Sequence, residues 1–270
     1  MALEDTTRLP SGRDLPSSDG VPMESDRHAD QARQYLIQPL RRHFEETGFV
    51  AWVSGNSFVY YPGKGSRAAS LGPDMYVVNG GVPRGQEMWV TWEEGGLLPT
   101  LIVELVSPST VRHDRGRKFR IYRDVFQCPD YFLYNTTRQR LEAFRLEAGF
   151  YLSVLPDADG GFPCSSLPGL RLGVRDGWLR FILPDGSLLL TGDERAEQER
   201  LEKLREREIA RQERLEKLRE RERAQQERLE KLRERERAEQ AETRAEEARL
   251  LLLQLKEEVR LLRESHPHAP

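Results

Sequence analysis

A single acid set in an apolar run, Leu101-Ile-Val-Glu104-Leu-Val106, constrains this chain more than any other stretch. Residues 100–106 read as a strand covered on both faces, since a strand with one wet face would alternate apolar and polar. In strand alternation Glu104 shares a face with Ile102 and Val106, while Leu101, Val103 and Leu105 point the other way. A carboxylate on a covered face is costly unless it is paired or bound to metal. The plainer alternative is a strand-end acid turned into solvent.

Two neighbours give that acid a context. Upstream, Pro73-Asp74 precedes the strand-like residues 75–78; such a dipeptide ordinarily just begins a turn. Downstream, Pro108 stops the strand and a basic stretch follows, with Phe119, Tyr122 and Phe126 at helical spacing as its core-facing stripe. Helical side chains tilt toward the N-terminus, so Lys118 is expected to reach back toward the end of the Glu104 strand. Six Lys/Arg lie between Arg112 and Arg123, either a solvated helix face or a set of phosphate contacts. Two carboxylates on neighbouring strands can hold Mg²⁺ through hard oxygen ligands, and a lysine beside them can position the water that attacks a phosphodiester.

These residues resemble the PD-(D/E)XK restriction-endonuclease-like superfamily and, within it, the bacterial Uma-type family. The matching segments are Gly72-Pro-Asp74-Met-Tyr-Val-Val, Leu101-Ile-Val-Glu104-Leu-Val-Ser-Pro-Ser-Thr110, Asp114-Arg-Gly-Arg-Lys118-Phe-Arg-Ile-Tyr122 and Pro129-Asp-Tyr-Phe-Leu-Tyr134. With a leader-like segment at residues 15–28, the resemblance covers residues 15–190. It implies that Asp74 is the first metal-binding acid, Glu104 the second and Lys118 the catalytic lysine. Val106 stands where the superfamily places its lysine, two residues after the second acid, so the resemblance implies that Lys118 takes over from the following helix. His28, Ser107 and Asp114 match positions of the resemblance and, with Glu45 near the end of the first helix, are auxiliary candidates; a solvated helix end is the plainer reading of Glu45.

The expected fold is α/β (α+β), a restriction-endonuclease-like mixed central β-sheet flanked by helices, with a long C-terminal charged helix. Residues 1–27 are rich in Ser, Pro, Asp and Gly and read as an extended leader; residues 28–190 form the nuclease domain. A first helix is expected over residues 29–47, kinked or split at Pro39. Strands are expected at 49–53, 57–61, 75–78, 100–106 and 131–135, with hairpins from 140–145 with 149–155 and from 178–183 with 187–190. The two cysteines, Cys128 and Cys164, lack zinc-site spacing and read as reduced thiols. Residues 1–8 lack the basic start and apolar core of a secretory leader, and no run reaches the about 18 apolar residues of a membrane span, so a cytoplasmic protein is expected.

Residues 191–265 are expected to form the charged helix, with 266–270 a disordered end. Residues 191–270 carry 21 Lys/Arg and 22 Asp/Glu, about half of the chain's 42 and 45, so the tail offers no net attraction to nucleic acid. A unit beginning Gln198-Glu-Arg-Leu recurs from Gln212 and Gln226. Its leucines fill a coiled-coil seam only in alternate heptads, a poor seam, whereas Glu199–Lys203, Glu213–Lys217 and Glu227–Lys231 are favourable i, i+4 pairs worth about 0.2–0.5 kcal/mol each. The apolar stripe of Leu251, Leu255, Val259 and Leu262 marks residues 250–262 as a self-association segment or as a face packed back on the body.

Together these readings predict a Mg²⁺ (or Mn²⁺) dependent DNA endonuclease. Asp74 and Glu104 are the metal ligands, Lys118 orients the nucleophilic water or stabilises the pentacovalent charge, and Arg112, Arg115, Arg117 and Arg120 hold DNA phosphate. The predicted partners are DNA and a second copy, as a dimer through the C-terminal helix, with no membrane. Two alternatives stay open: a catalytically inactive DNA-binding or mobile-element accessory protein, and a helical-tail assembly or scaffold protein.

Overall fold

Six consecutive buried residues, Leu101–Val106, place their strand in the middle of the principal sheet. The structure, a computed structural model, describes residues 9–20, 25–63, 67–106 and 114–265. The six-stranded sheet comprises β1 (Ala51–Ser54), β4 (Met75–Asn79), β6 (Leu101–Val106), β7 (Asp130–Asn135), β8 (Arg140–Glu147) and β9 (Phe150–Val154), in the order β1-β4-β6-β7-β8-β9. Among the described strands of this sheet only the β6–β7 pair is parallel. A parallel pair needs a crossover, and that connection carries a π turn at Asp114–Lys118 followed by helix α3 (Phe119–Asp124).

Alternation along the strands divides the core into two layers. Leu101, Val103 and Leu105 face a cluster with Val53, Met75 and Val77 that the first helix covers through Leu36, Leu40 and Phe44. Ile102 and Val106 face the other cluster, with Tyr76 and Val78, and Tyr122 of α3 and Phe126 just beyond its end close over them. The same side receives a small sheet, β3-β2-β5, made of β2 (Val59–Pro62), β3 (Ala68–Leu71) and β5 (Trp89–Val90). The stripe expected of the basic helix is therefore the surface that buries the Glu104 face.

The first helix departs from expectation. It starts at α1 (Asp26–Asp30), capped by the Ser25 hydroxyl accepting from the His28 N–H at 3.3 Å, and passes through a π-helical stretch (Gln31–Ile37) into α2 (Gln38–Thr47). Pro39 neither breaks nor divides it. A proline there clashes with the carbonyl four residues back in a regular α turn, and the wider π turn directly before it makes the room. The helix stops at Gly48, whose φ of 73° is the left-handed conformation that a glycine C-cap supplies.

The C-terminal strands also differ. Ile182 and Leu188 make a single bridge where a second hairpin was expected. Instead β12 (Trp178–Ile182) pairs along its length with β11 (Arg171–Arg175), and β10 (Phe162–Pro163) completes a three-stranded sheet. Arg171-Leu-Gly-Val-Arg175 has two large apolar residues and a glycine, a faint strand signal. Its turn was the better clue: Asp176-Gly177, with φ of 52° and 75°, is the Asp-Gly pair that favours a two-residue hairpin.

Residues 9–20 run against the β2–β5 sheet through backbone contacts. Ser17 O accepts from Phe58 N at 2.8 Å, Pro16 O from the Tyr60 hydroxyl at 2.9 Å and Pro10 O from Trp92 Nε1 at 3.1 Å. Chain contacts divide the protein into residues 1–198 and 199–270. The long helix α4 (Gly192–Ser265) begins inside the first unit with a reciprocal capping box: the Thr191 hydroxyl accepts from Glu194 N, and Glu194 Oε2 accepts from Thr191 N. Glu194 also receives both Arg180 amino groups, at 3.0 and 2.7 Å, and so compensates a buried guanidinium. Further along, Lys231 and Glu227 form one of the expected i, i+4 pairs at 2.6 Å. No helix among the described residues is long and apolar enough to cross a membrane.

Candidate metal and phosphodiester site

The antiparallel register of β4 and β6 pairs Met75 with Val103, Tyr76 with Ile102 and Val77 with Leu101. Continued by one residue, it sets Asp74 opposite Glu104. Both acids then share the face of Tyr76 and Ile102, where directly opposed Cβ atoms lie about 4.5–5.5 Å apart. Asp74 is also tied across the pair, its Oδ2 accepting from Leu105 N at 2.7 Å. Behind it the β1–β2 turn presses on the chain: Asn56 N donates to Pro73 O at 3.0 Å, and a Cβ at Gly55 would overlap the Asp74 carbonyl. Only glycine fits there, which is a packing requirement placed some twenty residues from the acid it positions.

Glu104 has no solvent exposure. Lys118 Nζ donates to Glu104 Oε2 at 2.9 Å and to Gly72 O at 3.4 Å, and the Tyr122 hydroxyl donates to Oε1 at 2.6 Å. Lysine and tyrosine are one helical turn apart, so a single short helix delivers a cation and a hydroxyl to the two oxygens of one carboxylate. Burial above all, then the Glu104 charge and its hydrogen bond, with further contributions from Tyr131 and Asp74, push the Tyr122 hydroxyl well above its ordinary range. It therefore stays protonated and remains a donor.

Tyr122 is the contact that sequence periodicity missed. Its position in the stripe announces an inward-facing ring, but the meeting of the hydroxyl with Glu104 depends on how the crossover lands. We expect Tyr122→Phe to lower stability by about 2 kcal/mol, the scale of a hydrogen bond to a charged group, and to slow any Glu104-dependent reaction by roughly tenfold through loss of orientation. Denaturant unfolding set beside turnover checks both; an unchanged rate would show that the bond serves folding alone.

The other sequence candidates are placed as follows. Arg117 and Arg120 are exposed on the same helical stretch as Lys118, and the Arg117 charge reaches the Tyr61 hydroxyl. Ser107 and Arg112 lie outside the described residues, as do the side chains of Asp114 and Arg115. His28 is buried, with Nε2 at 2.7 Å from Thr136 Oγ1 just past the end of β7. Glu45 is exposed beside Arg41 on α2, which covers the sheet face opposite the Glu104 side chain. A second Pro-Asp dipeptide makes a useful contrast: Asp130 is buried but fully engaged by Ser165 Oγ, Ser166 N and Ser166 Oγ at 2.6–2.8 Å, which pins the loop beyond β10. Cys128 and Cys164 are buried free thiols, both pushed well up by burial, and so lack thiolate reactivity.

Among the described residues no three His, Cys, Asp or Glu side chains gather into a metal cluster. Two carboxylates are nevertheless a fitting donor set for Mg²⁺ or Mn²⁺. Mg²⁺ takes hard oxygen ligands, keeps several waters and is commonly held by one or two carboxylates together with substrate phosphate. The Lys118 ammonium already stands at Glu104 as a positive charge, and the face invites one.

A family model described as "Uma2: Putative restriction endonuclease" matches residues 8–175, a span that includes Asp74, Glu104, Lys118 and Tyr122. A stretch of 46 residues, 17% of this chain, is 41% identical to "Uncharacterized protein slr1290" of Synechocystis sp. (strain ATCC 27184 / PCC 6803 / Kazusa). That match spans about a quarter, 24%, of the relative's own length.

Proposed function

The chain belongs to the Uma2 family, and from that premise we propose that it is a divalent-metal-dependent DNA endonuclease working through Asp74, Glu104 and Lys118. The observation that carries the reading is Glu104 itself, a carboxylate without solvent exposure, held by Lys118 at 2.9 Å and Tyr122 at 2.6 Å, beside a second acid, Asp74, that accepts from the next residue's N–H. Stability alone is a poor reason for such a cluster, since well-packed apolar residues in place of a buried ion pair are often neutral or stabilising. Chemistry that needs two oxygen ligands and one positive donor around the same point is a sufficient reason.

Asp74 and Glu104 would hold Mg²⁺ or Mn²⁺, which supplies charge neutralisation for phosphate and lowers the pKa of water when bound. Tyr122 and the Leu105 N–H fix the two carboxylates, so that the oxygens are oriented before substrate arrives. Lys118 orients the attacking water or meets the charge that builds on the pentacovalent phosphorus. Arg117 and Arg120, exposed on the same stretch, hold backbone phosphate.

A supercoiled plasmid incubated with the full chain tests the proposal. Conversion to nicked or linear DNA with Mg²⁺ or Mn²⁺, stopped by EDTA, is expected. Intact plasmid in both metals, with DNA still bound, would favour an inactive DNA-binding protein; no DNA binding at all would favour an assembly role for the tail.

A further inference from the structure

We propose that residues 238–262 form the seam of an antiparallel two-stranded coiled coil between two copies of this chain. Within α4, Ala238, Ala241, Ala245 and Ala248 alternate three and four residues apart. The same spacing continues without a break into Leu252, Leu255, Val259 and Leu262. The a and d positions are thus apolar through 25 consecutive residues, the about three to four sustained heptads that mark a coiled coil. Upstream the same frame meets Lys231 and Glu234, where the seam ends. Leu252, Leu255 and Val259 are 54%, 53% and 48% exposed, and the four alanines are exposed as well.

The occupant is a second copy because the seam is complementary to itself, and only in one orientation. Its N-terminal half is alanine and its C-terminal half is leucine and valine. An antiparallel pair centred on residue 250 sets Ala238 against Leu262, Ala241 against Val259, Ala245 against Leu255 and Ala248 against Leu252 of the second copy. Each layer then holds one small and one large side chain, so the helix separation is even along the seam and the layers fill. The two-fold axis repeats every contact, as a closed dimer requires. A parallel pair would instead stack four Ala–Ala layers beside four Leu or Val layers, and the separation set by the large half would leave the alanines out of contact.

The flanking charges agree. In the antiparallel pair Glu242 faces Lys256 of the second copy, Arg244 faces Glu258, and Leu251 meets its own copy at the centre; Arg249 facing Arg249 is the one like-charge flank inside the seam. Within the same residues a parallel pair opposes Arg244 to Arg249 twice and leaves Leu251 against Lys256. The inference lies wholly within residues 199–270 and does not depend on the catalytic reading.

Two variants of the full chain, each with one introduced cysteine, test it, because the native Cys128 and Cys164 are buried. A238C and L262C are each treated alone, and as an equimolar mixture, with a short bis-maleimide. In the antiparallel pair a residue at 262 lies about 36 Å along the helix from its own copy but level with residue 238 of the second copy. The expected result is a covalent species of twice the 31.2 kDa chain mass in the mixture and at most traces with either variant alone. Efficient bridging of each variant to itself would establish a parallel coil and overturn the proposal. So would a monomeric mass of the unmodified chain in sedimentation, whether the seam binds some other protein or stays single.

Discussion

Glu104→Gln is expected to reduce plasmid cleavage by about 10³-fold or more, because in the proposed mechanism it removes a negative ligand charge whose contribution to metal-assisted chemistry is several kcal/mol. The amide is nearly the shape of the acid and can still accept from Tyr122, but it removes the charge that compensates Lys118, so the variant should also be less stable, and its folding is checked beside cleavage. Asp74→Asn should behave in the same way, since its remaining oxygen can still accept from Leu105 N. Calorimetry with Mn²⁺ is expected to show affinity lost in both variants. Cleavage retained by a folded Glu104→Gln protein would remove this residue from the chemistry.

The second large effect belongs to Lys118. Lys118→Met should also abolish cleavage, yet bind Mn²⁺ at least as tightly as the unaltered protein, because in the proposed mechanism the ammonium orients and neutralises without being a ligand and no longer competes for the Glu104 carboxylate. The structure adds a consequence for folding. Lys118 is 16% exposed and pairs at 2.9 Å with a carboxylate that is wholly buried, and removing one partner of such a pair costs about 3–5 kcal/mol by stranding the other charge. A divalent cation restores that compensation. Mn²⁺ should therefore raise the melting temperature of Lys118→Met more than that of the unaltered protein. Equal loss of Mn²⁺ affinity in the Asp74, Glu104 and Lys118 variants would reject the division into ligands and orienter.

The strand of Glu104 was readable because both faces of Leu101–Val106 are covered and alternation then leaves one face for the acid. The direction of Lys118 was readable for a similar reason, since a helix with Phe119, Tyr122 and Phe126 toward the core has little choice of rotation. What escaped were contacts between segments distant in sequence. Nothing local indicates that Gly55 must lack a side chain to let Asp74 settle, or that the Tyr122 hydroxyl finds Glu104 Oε1. The π turns before Pro39 and ending at Lys118 escaped as well, because a wider turn leaves no signature in apolar spacing; Pro39 alone suggested a break that the turn absorbs. Strand β11 was hidden by its glycine and its two terminal arginines, although Asp176-Gly177 marked the hairpin beside it. The capping box Thr191-Gly-Asp-Glu194 was legible in type, but its second duty, compensating the buried Arg180, is visible only once β12 is packed.

Diffraction from a crystal soaked in Mn²⁺, recorded where manganese scatters anomalously, tests the central claim most directly. The account predicts one peak on the face shared by Asp74 and Glu104, about 2.0–2.3 Å from an oxygen of each carboxylate, with Tyr122 still bonded to Glu104. A peak that touches neither acid, or an unaltered Lys118–Glu104–Tyr122 cluster with no manganese beside it at saturating metal, would contradict it.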